Sequence, residues 1–548
     1  MLVGHRRRAA ARPRPLLAAA VAAAVVVPAC SSGIGDPYAP GADLPASETD
    51  ALRFLQRATF GPDEASLQRL QYLGYDTWLR EQQELPASLQ EPALQQLVAG
   101  GASVNQSNRQ EVWWRHAVRG RDQLRQRVAF ALSEIFVVSD QASALSGNPI
   151  GLAHWYDMLA RNAFGDYRTL LEQVTLHPVM GQYLSMLRNR KPDPSRNIRP
   201  DENNAREVMQ LFSIGLSELL PDGTPRLDLG GDPIPTYTQS DIEALAHVFT
   251  GWTYAGSTRF TSGTPNNLPM VPFEDYHDRT QKDWLGEVFP AGVDARTELT
   301  RALDVLAAHP NVGPFLGRQL IQRLVTSNPS PAYVARVAAV WADDGQGARG
   351  NLGAVVRAIL LDDEAMRGHV LAPGTFGKLR EGLLQQTAIW RVFGARAQNG
   401  QYAYSNPQDA FGQAALRADT VFNFFRPDHR PQGELTTLGL DAPEFQVLDQ
   451  NTAIAANNQL YRSLVTNHLG RATPAAGDVL VDLGAATALA DDPDALLDWL
   501  DRWLLAGAMT PALRQVVRQH LVQLTDPMQR AREGAWLVAT SPQFAVQK

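Results

Sequence analysis

Apolar residues that return every three or four positions dominate this chain, and that spacing leaves little choice of fold class. From Val112 onward the stripe runs through Leu124, Val128, Leu132, Ile135 and Phe136, the period of a helix that buries one face. The same rhythm predicts helices over 151–163, 167–174, 297–308, 314–326, 332–342, 351–361, 376–393, 443–465, 494–505, 511–522 and 528–540. Ser107 with Gln110, and Ser240 with Glu243, have the spacing of capping boxes. Gly251 supplies a stop for the second of these helices. Alternating patterns are few. The 220–238 stretch, with Asp-Gly and Gly-Gly, has room for a short hairpin. The 254–292 stretch, rich in Gly, Pro, Asn and Thr, reads as irregular surface chain. The expected fold is therefore all-α or helix-dominated, a multi-helix globular body with long irregular loops and at most a small β-hairpin. A main helical domain is placed at 49–465. A C-terminal helical segment, 466–548, packs on it across an Ala/Asp-rich stretch near 470–493. No repeat of fixed period suggests a solenoid.

The first 29 residues follow a different rule. Five arginines (Arg6, Arg7, Arg8, Arg12, Arg14) precede the apolar run 16–29, LLAAAVAAAVVVPA, which is 14 residues long. That is short for a bilayer span and suits the core of a signal peptide. The run stops at Val27-Pro28-Ala29-Cys30, where small residues before a cysteine resemble a bacterial lipobox. Cys30 is the chain's one cysteine, so it stands at the position lipid attachment requires; the plainer alternative is a secretory signal with an incidental cysteine. Residues 30–48 carry Pro37, Pro40 and Pro45 and read as a flexible tether. Lipid on Cys30 would make the membrane a partner without a spanning helix.

Composition narrows the chemistry. A single cysteine excludes a disulfide framework and a zinc site built on several thiolates. The net charge of −7 becomes −12 once the five leading arginines are removed. An acidic body with no basic run lacks the clustered Lys/Arg that nucleic acid needs, so no nucleic-acid partner is expected. The sequence has no G-x-S-x-G elbow, Walker loop, dinucleotide fingerprint, H-E-x-x-H, C-x-x-C or complete EF-hand loop. The residues specify neither a cofactor nor a metal.

The richest polar constellation is the run from Arg199 to Phe212. Pro200 and Asp201 suit the start of a helix. At about 100° per residue, Glu202, Asn203, Arg206, Glu207 and Gln210 share one arc, opposite Ala205, Val208, Met209 and Phe212. Glu202 can pair with Arg206, and Asn203 with Glu207. The arc is either a solvated helix face or one wall of a cleft that presents two carboxylates beside a guanidinium. Glu243 and His247 have chelating spacing, with an ordinary surface pair as the simpler alternative. His277, Asp278 and Lys282 lie together in a loop. There they are either functional or ordinary polar loop content. His177 and His309 end apolar runs and suit capping of helix carbonyls. Trp252, after Thr250-Gly251, suits core packing or ligand stacking. Asp222, Asp228 and Asp232 are explained by turn chemistry more simply than by calcium.

The run Glu202–Gly215, ENNAREVMQLFSIG, resembles a bacterial family, number eighteen hundred among the domains of unknown function. So do RFLQRATFGP (53–62), DQLRQRVAFALSEIFVVS (122–139), LHPVMGQYLSMLRN (176–189), ALAHVFTGWTY (244–254), FGKLREGLL (376–384), FNFFRPDHRPQGEL (422–435), APEFQ (442–446) and TSPQFAVQK (540–548). The resemblance implies a large, exported, helical bacterial protein and carries no activity with it. It directs attention to Asp201, Glu202, Asn203, Arg206, Glu207, Trp252 and Lys282. Where the family's block usually has tyrosine this chain has Asn204, which falls on the apolar arc and implies local repacking.

Two functions fit an envelope lipoprotein of this kind. One is a hydrolase acting on envelope or extracellular polymers. Its catalytic set would be Glu202 or Glu207 as base, Arg206 as anion anchor, and a loop with His277 and Lys282 closing over them. Asp201, Asn203 and Trp252 would bind the ligand. The other is a non-catalytic binding or assembly protein whose acidic surface and tryptophans hold a protein or polymer.

Overall fold

The structure, a computed structural model, describes residues 43–404, 406–467 and 473–548. The expected signal peptide, Cys30 and most of the tether lie outside the described residues. Those that are described belong to one compact unit, Pro40–Lys548, and it is dominated by helix. Among the described residues no helix is long and apolar enough to cross a membrane.

The helix Gln123–Ser133 is the axis of the body: all 11 of its residues are buried. It packs against Glu48–Ala58, Tyr75–Glu84, Gln106–Arg119, Pro149–Asn162 and Val312–Leu324. A helix buried on every side must satisfy its polar side chains internally. Arg125 does so by donating to Ala160 O (3.1 Å) and Gln83 O (2.6 Å), with its guanidinium over the Phe164 ring. Arg127 is satisfied only in part: Nη2 donates to Arg323 O at 2.6 Å, while Nε and Nη1 have no hydrogen-bond partner among the described residues. A planar fork matched to carbonyls makes such deep burial tolerable.

Helix positions follow the apolar period closely, and helix starts follow it less well. The 106–119 helix is capped by Asn105 with Asn108, not by Ser107 with Gln110. The 239–248 helix is capped by Thr238 with Asp241, two residues ahead of Ser240 and Glu243. The expected 376–393 helix begins only at Gly382. Before it, Lys378–Leu379 pairs antiparallel with Val546–Gln547. The 443–465 stretch divides into a 3-10 turn, Pro443–Gln446, and the helix Gln450–Tyr461, which continues as a π-helical turn.

The 254–292 region departs most from expectation. Trp252–Thr253 pairs with Val271–Pro272, and Lys282–Trp284 forms a hairpin with Glu287–Phe289. Phe260, Met270, His277, Trp284 and Phe289 are buried, so this irregular chain supplies core as well as surface. The 216–236 arm is held by isolated bridges, Ser217 to Pro235 and Leu227 to Pro233, with no continuous ladder. Gly215, at its root, has φ +72, and a Cβ there would meet the Phe315 ring at 2.8 Å. Both the backbone and the close approach require glycine.

Candidate functional site

The Glu202 arc does not remain one surface. The helix runs Asn203–Gln210, two residues later than Asp201. Asp201 instead accepts from Asn203 N at 2.9 Å and is tied through its backbone to the Asn189 amide. Arg206 donates to Glu202 Oε2 at 3.1 Å, and Gln239 Nε2 donates to the same oxygen at 2.9 Å. That network is largely open to water, and Asn203 beside it is exposed. Glu207 turns inward. It is 5% exposed, its Oε2 has no hydrogen-bond partner, and burial pushes its carboxyl above the ordinary range. Burial, with Glu207 nearby, raises Tyr183 and Tyr237 to about 12. Asn204 is buried too, and neither end of its amide finds a partner.

His277 and Lys282 are deep in the body. Lys282 Nζ donates to Asp278 O (2.7 Å), Thr280 O (2.9 Å) and Glu298 Oε1 (3.0 Å). His277 Nε2 lies 3.3 Å from Glu298 Oε2, and its other ring nitrogen is 3.1 Å from Thr250 O. Burial pushes the Asp278 carboxyl up, but hydrogen bonds from His247 and Thr280 outweigh it and hold the group well below its usual value. All three donors of the Lys282 ammonium are used, which makes it a clasp inside the loop rather than a group that closes over a ligand. His247 thus pairs with Asp278, not with Glu243. The helix Gln239–Val248 packs on both Asn203–Gln210 and the Lys282–Trp284 strand. Among the described residues no hydrogen bond or ion pair joins Glu202, Arg206 or Glu207 to His277 or Lys282. The expected catalytic set is therefore not assembled.

Other candidates resolve simply. Trp252 is fully buried under the Arg296 guanidinium, as core packing requires. His177 and His309 accept from the N–H groups of Val179 and Asn311, so they hold the start of the following segment rather than carbonyls of the preceding helix. Asp222 and Asp228 accept from backbone N–H groups two residues on, which is turn chemistry. No group of metal-ligating side chains occurs among the described residues.

A second buried charge cluster brings together stretches far apart in sequence. Glu134 ends the central helix, Lys378 and Glu381 come from the strand and turn near 380, and Glu444 comes from the 3-10 turn. Arg127 and Arg323 complete it. Every one of these side chains is buried, with Glu134 at 3% exposure. Lys378 Nζ contacts Glu444 Oε1 at 2.9 Å and Glu381 Oε1 at 3.4 Å. The Gln413 amide donates to both Glu134 Oε1 (3.1 Å) and Glu381 Oε2 (2.7 Å). Burial, then repulsion from Glu381, pushes the Glu134 carboxyl well above its usual value. Burial acts on Glu381 as well, but Lys378, Arg127 and hydrogen bonds from Gln413 and Glu134 hold it low. The neighbouring carboxyls are thus driven in opposite directions, Glu134 up and Glu381 down, with the Arg323 guanidinium 3.7 Å from Glu134.

Glu134 also lines a cavity of about 550 Å³. Its apolar wall includes Phe315, Phe422 and Phe425, and its polar wall includes Gln210, Gln319 and Arg318. A cavity of that size with a few convergent polar groups suits a small molecule or a short polymer segment. Of the sequence candidates only the 202–210 helix reaches it, through Gln210. The family-like stretches 122–139 and 422–435 line it, and 376–384 and 442–446 supply the charges beside Glu134. The available signal was a charge within each apolar or aromatic stretch.

The family described as "Protein of unknown function (DUF1800)" matches residues 53–546, and the chain belongs to that family. No curated protein and no solved structure matches it.

Proposed function

We propose that this member of the family is an exported, lipid-held envelope protein that works as an acid–base hydrolase in the 550 Å³ cavity, with Glu134 as its proton donor. The address rests on the basic and apolar leader that ends at Cys30. The chemistry is supported by one feature: Glu134, at the cavity wall, is pushed well above its usual value beside Glu381, which is held low. A general acid must keep its proton at working pH, and environments that split two carboxyls do this. In the proposed step Glu134 gives its proton to the leaving group as that bond breaks. Water adds its hydroxyl to the other fragment and returns its proton to the carboxyl pair. The aromatic wall and the glutamines would hold a segment of an envelope or extracellular polymer.

The test is hydrolysis of polysaccharide, ester and peptide polymers by the purified protein. Glu134→Gln should lower turnover by about 100-fold or more while the thermal midpoint holds. Equal turnover by the variant would overturn the assignment. The rival reading, a binding protein that performs no chemistry, draws on the grip of Gln413 and Asn423 on Glu134. Polymer retention without products, unchanged by Glu134→Gln, would decide for it.

A further inference from the structure

Arg115, Arg119 and Arg121 gather where the helix Gln106–Arg119 turns into Gln123–Ser133, and all three line one cleft of about 500 Å³. Among the described residues none of the three forms an ion pair. Arg119 and Arg121 are exposed and Arg115 is half-buried.

No neighbour among the described residues pairs with these guanidinium groups. Asp122 is the one acid lining the cleft. Its carboxylate already accepts from Ser88 N (2.8 Å), Ser88 Oγ (2.6 Å) and Gln126 Nε2 (2.9 Å). Carbonyls at the end of a helix can attract a cation, but here Gln123 Nε2 reaches Ala117 O at 3.1 Å and Gly120 O at 2.9 Å. Arg391, which repels Arg119, is itself committed to Gly61 O, Val118 O and Asp63. Burial lowers His116 to about 4, so the imidazole is neutral, and its Nδ1 has no partner. The cleft therefore sets three guanidinium groups against one carboxylate in a chain whose net charge is −7.

We propose that this cleft binds a ligand carrying phosphate groups, seated on the guanidinium forks of Arg115, Arg119 and Arg121. Three forks around one space call for several acceptor oxygens and at least one negative charge. Phosphate supplies both in the geometry guanidinium prefers. Two sources share this chemistry, a phospholipid headgroup and a soluble polyphosphate-type anion. The site lies apart from the Glu134 cavity, and its test does not depend on any hydrolytic activity.

The experiment is calorimetric titration of the full chain with tripolyphosphate and, separately, with glycerophosphoglycerol, a deacylated lipid headgroup. Binding of either that weakens by about tenfold or more in Arg115→Gln/Arg119→Gln/Arg121→Gln supports the site, and which probe binds identifies the source. Arg119→Gln/Arg121→Gln alters exposed side chains only and should show a smaller loss without any change in melting. Arg199→Gln, at another exposed arginine, should bind as the parent does. Absence of binding by both probes at low salt, or equal binding by the triple variant, would overturn the proposal.

Discussion

Two buried charge clusters invite comparison. Around Lys282 the ammonium uses all three donors, on two carbonyls and Glu298, and the His277 ring lies between Glu298 and Thr250 O. Around Lys378 three carboxyls share the ammonium with Arg127 and Arg323, and burial and Glu381 push Glu134 well above its usual value at the wall of a cavity. Both are deeply buried, so burial of charge does not by itself mark a site. A shifted carboxyl at the wall of a cavity is the better mark. The first cluster ties a strand hairpin to the helix Ala295–Ala308; the second adds to a structural clasp the carboxyl proposed as a proton donor.

The comparison can be broken most forcefully at the two lysines. Lys378→Met leaves Glu381 and Glu444 without their shared cation and should cost about 3–5 kcal/mol, measured by urea unfolding. Lys282→Met strands one carboxylate and should cost about 3 kcal/mol. A cost under about 1 kcal/mol at either lysine would mean that the cluster relaxes or takes in water.

The pH dependence separates the clusters by sign. A carboxyl raised in the folded state contributes its stability fully below its unfolded pKa and loses it as pH climbs through the folded value. Glu134 should therefore give a stability that declines with rising pH, and Glu134→Gln should flatten that slope while changing stability near pH 5 by about 1 kcal/mol or less. Asp278 is held low and behaves oppositely. Its stabilisation is present above the unfolded carboxyl's pKa and is lost as pH falls toward the folded one. Asp278→Asn should reduce the acid-side loss and leave the alkaline slope intact. Unfolding curves across pH check both.

The smallest effect is expected at Asn204. Neither end of its buried amide has a partner, so Asn204→Ala removes an unsatisfied group together with some packing. The two should cancel to within about 0.5 kcal/mol, in contrast to Asn311, whose amide donates to Ile214 O and Ser217 O. Asn311→Ala should cost about 2 kcal/mol by the same unfolding measurement.

Helices were legible because a 3.6-residue period survives in any single stretch of sequence. Their first residues were less so: near Thr238 several Thr, Ser, Asp and Glu side chains compete for the same N–H groups, and the geometry chose Thr238 with Asp241. The 254–292 loop misled because His277, Asp278 and Lys282 look like surface polarity until Glu298 is placed against them. Glu207 misled in the same way, since a helical wheel gives an angle but not what stands beside it. The Glu134 site escaped for the opposite reason. Its residues lie up to 317 positions apart, each stretch reading as core, and only the fold brings three glutamates to one lysine.

The protonation state of Glu134 is the claim on which the comparison turns, and infrared difference spectroscopy reads it directly. At neutral pH the parent protein minus Glu134→Gln should show the C=O stretch of a neutral carboxylic acid, shifted on exchange into heavy water. A difference spectrum containing only carboxylate bands would show Glu134 ionised and would contradict the account.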